Sequence, residues 1–178
     1  RFMNFLQNKP VDRAPVAFFH HFTTYKEWMT GLEDPDVFER NIVGHEKARK
    51  DFDPDVIKVM NDSLMIMVVD VSMVREAADL RKIVPPAMDS EWMIKSKELT
   101  ERVLAYYKDS EAPKYVTGFS PFMVLRTSFD QIFRGEDNKT KLLNFLKEDP
   151  DSFLAALDII GDTIMKLNEM LVKECGAD

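Results

Sequence analysis

The chain has 178 residues, enough for one ordinary hydrophobic core and short for two domains. Apolar residues make up 45% and charged residues 31%, a globular composition that excludes disorder along its length. The formal charge of −7, with Lys and Arg scattered among Asp and Glu, leaves no footprint for nucleic acid or an anionic membrane.

In chain order, Phe2, Phe5 and Leu6 predict a short opening helix that ends before Pro10. Residues 15–20 read as a buried strand. Asp34 followed by Pro35 is a capping residue with proline at the first helical position, and the helix it opens would bury Phe38, Ile42, His45 and Phe52. Residues 55–62 form a second strand, bounded by Pro54. Residues 72–80 are expected as a short helix and 80–84 as a third strand before Pro85. Ser90 begins a helix with Trp92, Leu99, Val103 and Tyr106 on one stripe. Residues 115–120 read as a fourth strand, with Pro121 starting the next helix. Asp149 and Pro150 repeat the cap-and-proline start. Phe153, Leu157, Ile160, Ile164, Leu167 and Leu171 then recur over about six turns, and Gly176 is the expected stop.

Strands alternating with helices imply βαβ units and a parallel sheet. The expected fold class is α/β, the N-terminal half of a (β/α)8 TIM-type barrel with outer helices. Residues 1–178 would be one incomplete barrel domain of four βα units. Its two open edges, on residues 15–20 and 115–120, call for a second copy or the remainder of the barrel. Cys175 is the only cysteine and forms no internal disulfide. The longest apolar run, residues 64–69, stops at Asp70. A cytoplasmic protein without a membrane span is expected.

In parallel α/β folds ligands meet the carboxyl ends of the strands. Those ends carry His20 and His21, Asn61 and Asp62, and Phe119 and Ser120, with Arg126 in the helix that follows. Asp62 closes an apolar strand, where a carboxylate is solvated, paired or functional. By spacing alone its plainer role, capping the next turn, is favoured. His20 and His21 point to opposite faces of an extended segment, so they do not chelate one ion together, and no metal site is expected here. One of them facing the barrel mouth would serve as a polar contact or proton donor. His45 reads as a hydrogen-bonded packing residue. Lys58 shares strand parity with Asp62, and its plainer role is to snorkel to the barrel floor.

Several blocks together carry a resemblance. They are Arg1-Phe2-Met3, Pro10-Val11-Asp12-Arg13-Ala14-Pro15-Val16, Phe52-Asp53-Pro54-Asp55, Asn61-Asp62 and Gly118-Phe119-Ser120-Pro121-Phe122. This ordered set resembles the N-terminal half of the uroporphyrinogen decarboxylase superfamily, over essentially the whole chain. Cys175-Gly176-Ala177-Asp178 is similar to that family's entry to strand five. The resemblance implies a barrel, commonly dimeric, with a deep cleft at the strand ends. One branch of the family decarboxylates acetate side chains of a tetrapyrrole without a cofactor. The other moves methyl groups between corrinoid proteins and thiols, with zinc held by the C-terminal half.

Carried over residue by residue, Asp62 matches the aspartate that faces the pyrrole nitrogens in the decarboxylases, an electrostatic role. The decarboxylases follow their first strand with Arg-Gln-Ala-Gly-Arg-Tyr, whose arginines grip substrate carboxylates. The matching stretch here is His20-His21-Phe22-Thr23-Thr24-Tyr25, in which only the tyrosine survives. The expected site is therefore Asp62 as the catalytic group, with His20, His21, Tyr25, Phe119 and Arg126 binding substrate. Methyl transfer from a corrinoid is the expected activity, with tetrapyrrole decarboxylation and a non-catalytic fragment or binding module as the alternatives. No cofactor is expected within these residues. Zinc and a corrinoid partner would belong to the longer parent, and the segment alone is expected to be inactive.

Overall fold

A computed structural model describes residues 1–178. Helices dominate it. Helix α1 (Phe2–Leu6) buries none of its residues, whereas α2 (Pro35–Asp51) turns Val37, Phe38, Asn41, Ile42 and His45 inward. The start of α2 is set by Asp34, whose side chain accepts from the N–H groups of Asp36 and Val37 at 3.0 and 3.3 Å. Pro35, which has no N–H to leave unsatisfied, follows it. Arg49 and Lys50 in the last turn favour the negative end of the helix dipole. Strand β1 (Ile57–Val59) leads into a tight 3₁₀ turn, Asp62–Leu64, and a second such turn covers Ala77–Lys82. Helix α3 (Glu91–Ala105), strand β2 (Lys114–Val116), α4 (Pro121–Ile132), α5 (Asn138–Glu148) and α6 (Pro150–Lys173) complete the chain. No helix is long and apolar enough to cross a membrane.

The chain divides into two compact units, the first made of Arg1–Met65, Ile94–Thr117 and Glu169–Asp178. In it β1 and β2 pair in parallel, with Ile57 opposite Lys114 and Val59 opposite Val116. Ala17 makes one parallel bridge to Val56 on the other side of β1. The opening residues are clasped to this sheet by Asp55, which accepts from the Val16 N–H at 2.8 Å and from Arg13 at 2.6 Å, and also pairs with Arg1. Burial works against the Asp55 charge, but the Val16 N–H and the two guanidinium groups hold its carboxyl below the ordinary range. The Arg1 Nε also donates to Asp12, so the Asp12-Arg13 motif serves as part of this clasp.

The second unit comprises Ile66–Met93 and Gly118–Asn168. Helix α5 packs on α4 and on the Ala77–Lys82 turn. Three caps define its helices: Ser120 opens α4, Asp137 opens α5, and the Asp149 carboxylate accepts from Ser152 at the head of α6. Phe129 and Ile160 are fully buried.

Several expected elements differ. Residues 15–20 are not a buried strand, because a single bridge pairs them and Phe18 and Phe19 stay exposed. No third strand lies between β1 and β2, which pair directly. Residues through Lys82 are 3₁₀ helix, and Val84 bridges antiparallel to Asp70. The helix expected over 72–80 is replaced by a turn and that 3₁₀ segment, and the fourth strand shortens to Lys114–Val116. Phe52 lies past the end of α2 and is exposed. Helix α5 was not anticipated, although Asp137 ahead of Leu142 and Phe145 is a usable cap-and-stripe signal. The α6 start and the positive φ of Gly176 agree with the sequence reading.

His45 gives the fold a defined pH response. Burial, only partly offset by the Met60 hydrogen bond and the nearby Asp62 charge, lowers its pKa from 6.5 to about 4. Between those values the unfolded chain binds the proton and the folded chain does not, so stability falls as pH drops through this window. Urea unfolding is expected to show a loss on the order of 3 kcal/mol by pH 4 from this group. His45→Gln should flatten that part of the profile.

Candidate functional site

The carboxyl end of β1 is held by two polar side chains one turn apart on α2. Asn41, wholly buried, donates from Nδ2 to the Met60 carbonyl at 2.8 Å and accepts from the Ser63 N–H and hydroxyl at 2.9 and 3.0 Å. His45 Nε2 stands 3.0 Å from the Met60 carbonyl and 3.1 Å from its N–H. Together they fix the backbone on both sides of Asp62.

Asp62 itself is 0% exposed. A buried carboxylate is costly unless hydrogen-bonded, and here both oxygens are used. The His21 ring donates from Nδ1 to Oδ1 at 2.8 Å, and the Phe22 backbone N–H donates to Oδ2 at 2.8 Å. The Asp62 carbonyl accepts from Met29, a non-glycine residue at φ +66°, and the Ser63 carbonyl accepts from Gly31 at 2.8 Å. Residues 21–31 thus wrap the turn after β1. The wrap depends on glycine. A Cβ on Gly31 would stand 2.7 Å from Ser63 Cβ and 2.8 Å from its carbonyl oxygen, and a Cβ on Gly44 would enter the Phe22 ring.

Because Oδ1 accepts, the hydrogen lies on Nδ1 of His21, and in the neutral ring Nε2 is the free acceptor. The ring is half exposed and packs at a tilt against Trp28 with centroids 4.9 Å apart, and Tyr25 packs against Trp28 at the same distance. A carboxylate behind a histidine that presents its second nitrogen outward is an arrangement for moving a proton. Asp62, with no exposure of its own, reaches any ligand only through His21. Tyr25 is an exposed flank of the same cluster.

His20 lies apart from this pair. It packs against Phe18, Phe22 and Phe52, and its Nε2 is buried without a partner. The cavity that it lines has about 20 Å³ of free space, room for one water and no substrate. Lys58 lies over the Phe19 ring at 3.9 Å. Burial lowers its pKa, partly opposed by the Asp62 charge. No three His, Cys, Asp or Glu side chains converge to hold a metal ion. Every arginine of this unit is ion-paired: Arg1 and Arg13 with Asp55, Arg40 with Glu27, Arg49 with Asp53, and Arg102 with Glu39.

Phe119 and Arg126 belong to the second unit, Phe119 half-buried ahead of α4 and Arg126 within it. Compared with protein-family models, with curated proteins and with solved structures, the chain matches none of them.

Asn41, Trp28 and the Phe22 amide were missed from sequence. Asn41 had a readable signal: it shares a face with His45 four residues on, a polar pair on an otherwise apolar stripe. The amide had none, since every residue carries one.

Asp62→Asn tests this geometry. An amide in place of the carboxylate turns a donor toward either His21 or Phe22. Nitrogen-15 NMR of the imidazole should move the His21 hydrogen from Nδ1 to Nε2 in a substantial fraction of molecules. The variant should also lose about 1–3 kcal/mol of stability in urea. An unchanged tautomer would mean that Asp62 does not orient the ring.

Proposed function

We propose that this chain contributes the opening strands and helices of a uroporphyrinogen decarboxylase-type (β/α)8 barrel, and that the protein transfers a corrinoid-linked methyl group to a thiol. The fold reading is supported by three parallel segments in chain order. These are Ala17 beside Val56, then β1 beside β2, with α2 and α3 in the intervening connections. Asp178 donates its N–H to the Lys114 carbonyl at 2.7 Å, beside the head of β2, where a further parallel segment would begin. In this reading the later barrel units lie outside these 178 residues.

The observation that carries the activity is the hydrogen-bonded Asp62–His21 pair just past the carboxyl end of β1. Held by Asp62, the His21 Nε2 takes the proton of the acceptor thiol. The thiolate sulfur then forms a bond to the methyl carbon, and the electron pair of the broken carbon–cobalt bond stays with the corrinoid. Asp62 stabilises the imidazolium so formed and is a positioning residue. These residues do not fit a zinc ion, so the step assigned to them is proton removal alone. The ion-paired arginines argue against a polycarboxylate tetrapyrrole, which needs free cations to grip it.

The test supplies the full-length polypeptide with methylcobalamin and a small thiol and follows methyl thioether by mass spectrometry. His21→Ala should slow transfer by roughly 100-fold, the scale of a lost general base, and Asp62→Asn by less. His21→Ala also takes a donor from the buried Asp62, so its melting temperature should fall, and the two rates are compared at a temperature below both transitions. Conversion of uroporphyrinogen to coproporphyrinogen, or transfer indifferent to His21, would overturn the reading.

A further inference from the structure

The second unit contains a cavity of about 270 Å³ between α4, α5 and the start of α6. Its walls are apolar, from Phe122, Leu142, Leu146 and Phe153, and two cations stand among them, Arg126 and Lys139. Among the arginines Arg126 stands out. Its Nε is buried without a hydrogen-bond partner, and the one carboxylate within 4.0 Å, Asp130, stands at 3.6 Å, too far to accept. Lys139, in the first turn of α5, forms no ion pair within 4.0 Å and lines the same hollow. An apolar hollow with a buried, unsatisfied guanidinium N–H and a second free cation complements a molecule with an apolar body and one anionic end.

We infer that this cavity binds a free monocarboxylate with an unbranched apolar tail. The space sets the size: at ~30 Å³ for each water-sized group, 270 Å³ holds about nine, which corresponds to a tail of about six to eight carbons. The carboxylate accepts from Arg126 in a forked contact, with Lys139 adding charge, while the tail lies against Phe122, Leu142 and Phe153. Displacing water from these walls supplies the hydrophobic part of the affinity, and the guanidinium supplies selectivity for an anion. All of these groups lie in the second unit, so the inference stands apart from the role of Asp62 and His21.

Titration calorimetry with octanoate, and with octanamide as its uncharged counterpart, tests the assignment. Octanoate should bind with one site per chain and octanamide at least about tenfold more weakly, the scale of a charge-assisted hydrogen bond. Arg126→Gln should weaken octanoate about tenfold while leaving octanamide unchanged, with circular dichroism confirming the fold. If Arg126→Gln does not fold, Lys139→Gln at its exposed position should weaken octanoate about threefold. Equal binding of octanoate and octanamide, or no octanoate binding at millimolar concentration, overturns the proposal. So does a dimer in light scattering that occupies this hollow and resists octanoate.

Discussion

A carboxylate with no exposure to water organises the first unit. Left unpaired, the Asp62 charge would be expensive to bury, so the backbone around it must bring donors to both oxygens. One donor is a main-chain N–H at Phe22 and the other a ring N–H at His21, and both come from a segment with little regular structure of its own. That segment is ordered because it satisfies Asp62. The same turn is gripped from behind by Asn41 and His45, so helix, strand end and loop meet at one residue. Such a fully satisfied network defines a unique arrangement more than it adds stability.

The charges elsewhere in this unit follow a different rule. Asp12 and Asp55 receive the arginines of the opening segment, and Glu27 and Glu39 receive those of α2 and α3. These pairs are mostly exposed and contribute little energy each, but they occupy the guanidinium groups. His21 is therefore the polar ring presented outward beside Trp28 and Tyr25, without arginine to recruit polyanions. This distribution bears on function more directly than the net charge of −7, which averages over both units.

In the second unit the contrast is reversed. Its helix starts are capped and its interior serine, Ser128, both accepts from the Val69 N–H and donates to the Val124 carbonyl. Arg126 keeps a buried Nε–H that no protein group answers, and Ser90 Oγ and Asn138 Oδ1 are also left without a partner in this unit. Of these three the guanidinium alone is charged and borders the apolar hollow, so it is the one suited to an anionic ligand.

The helix starts at Asp34-Pro35, Ser120-Pro121 and Asp149-Pro150 were legible because capping is local: the side chain and the N–H that it serves are two or three residues apart. The strands were only half legible. Residues 15–20 are mostly apolar and residues 80–84 end on the β-branched pair Ile83-Val84, yet strand formation needs a partner across space. The pairing gave Ala17 one bridge and turned Val84 toward Asp70. At the site, the candidates Asp62 and His21 could be picked from their place after apolar runs, whereas Tyr25 entered only through the family resemblance. That Asp62 is sealed behind His21, that His20 faces a cavity too small for substrate, and that Asn41 and the Phe22 amide complete the network were decided by tertiary structure. Hydrogen-bond partners 19 to 41 residues apart leave no periodic trace in a sequence, and burial of a charge depends on which segments close over it.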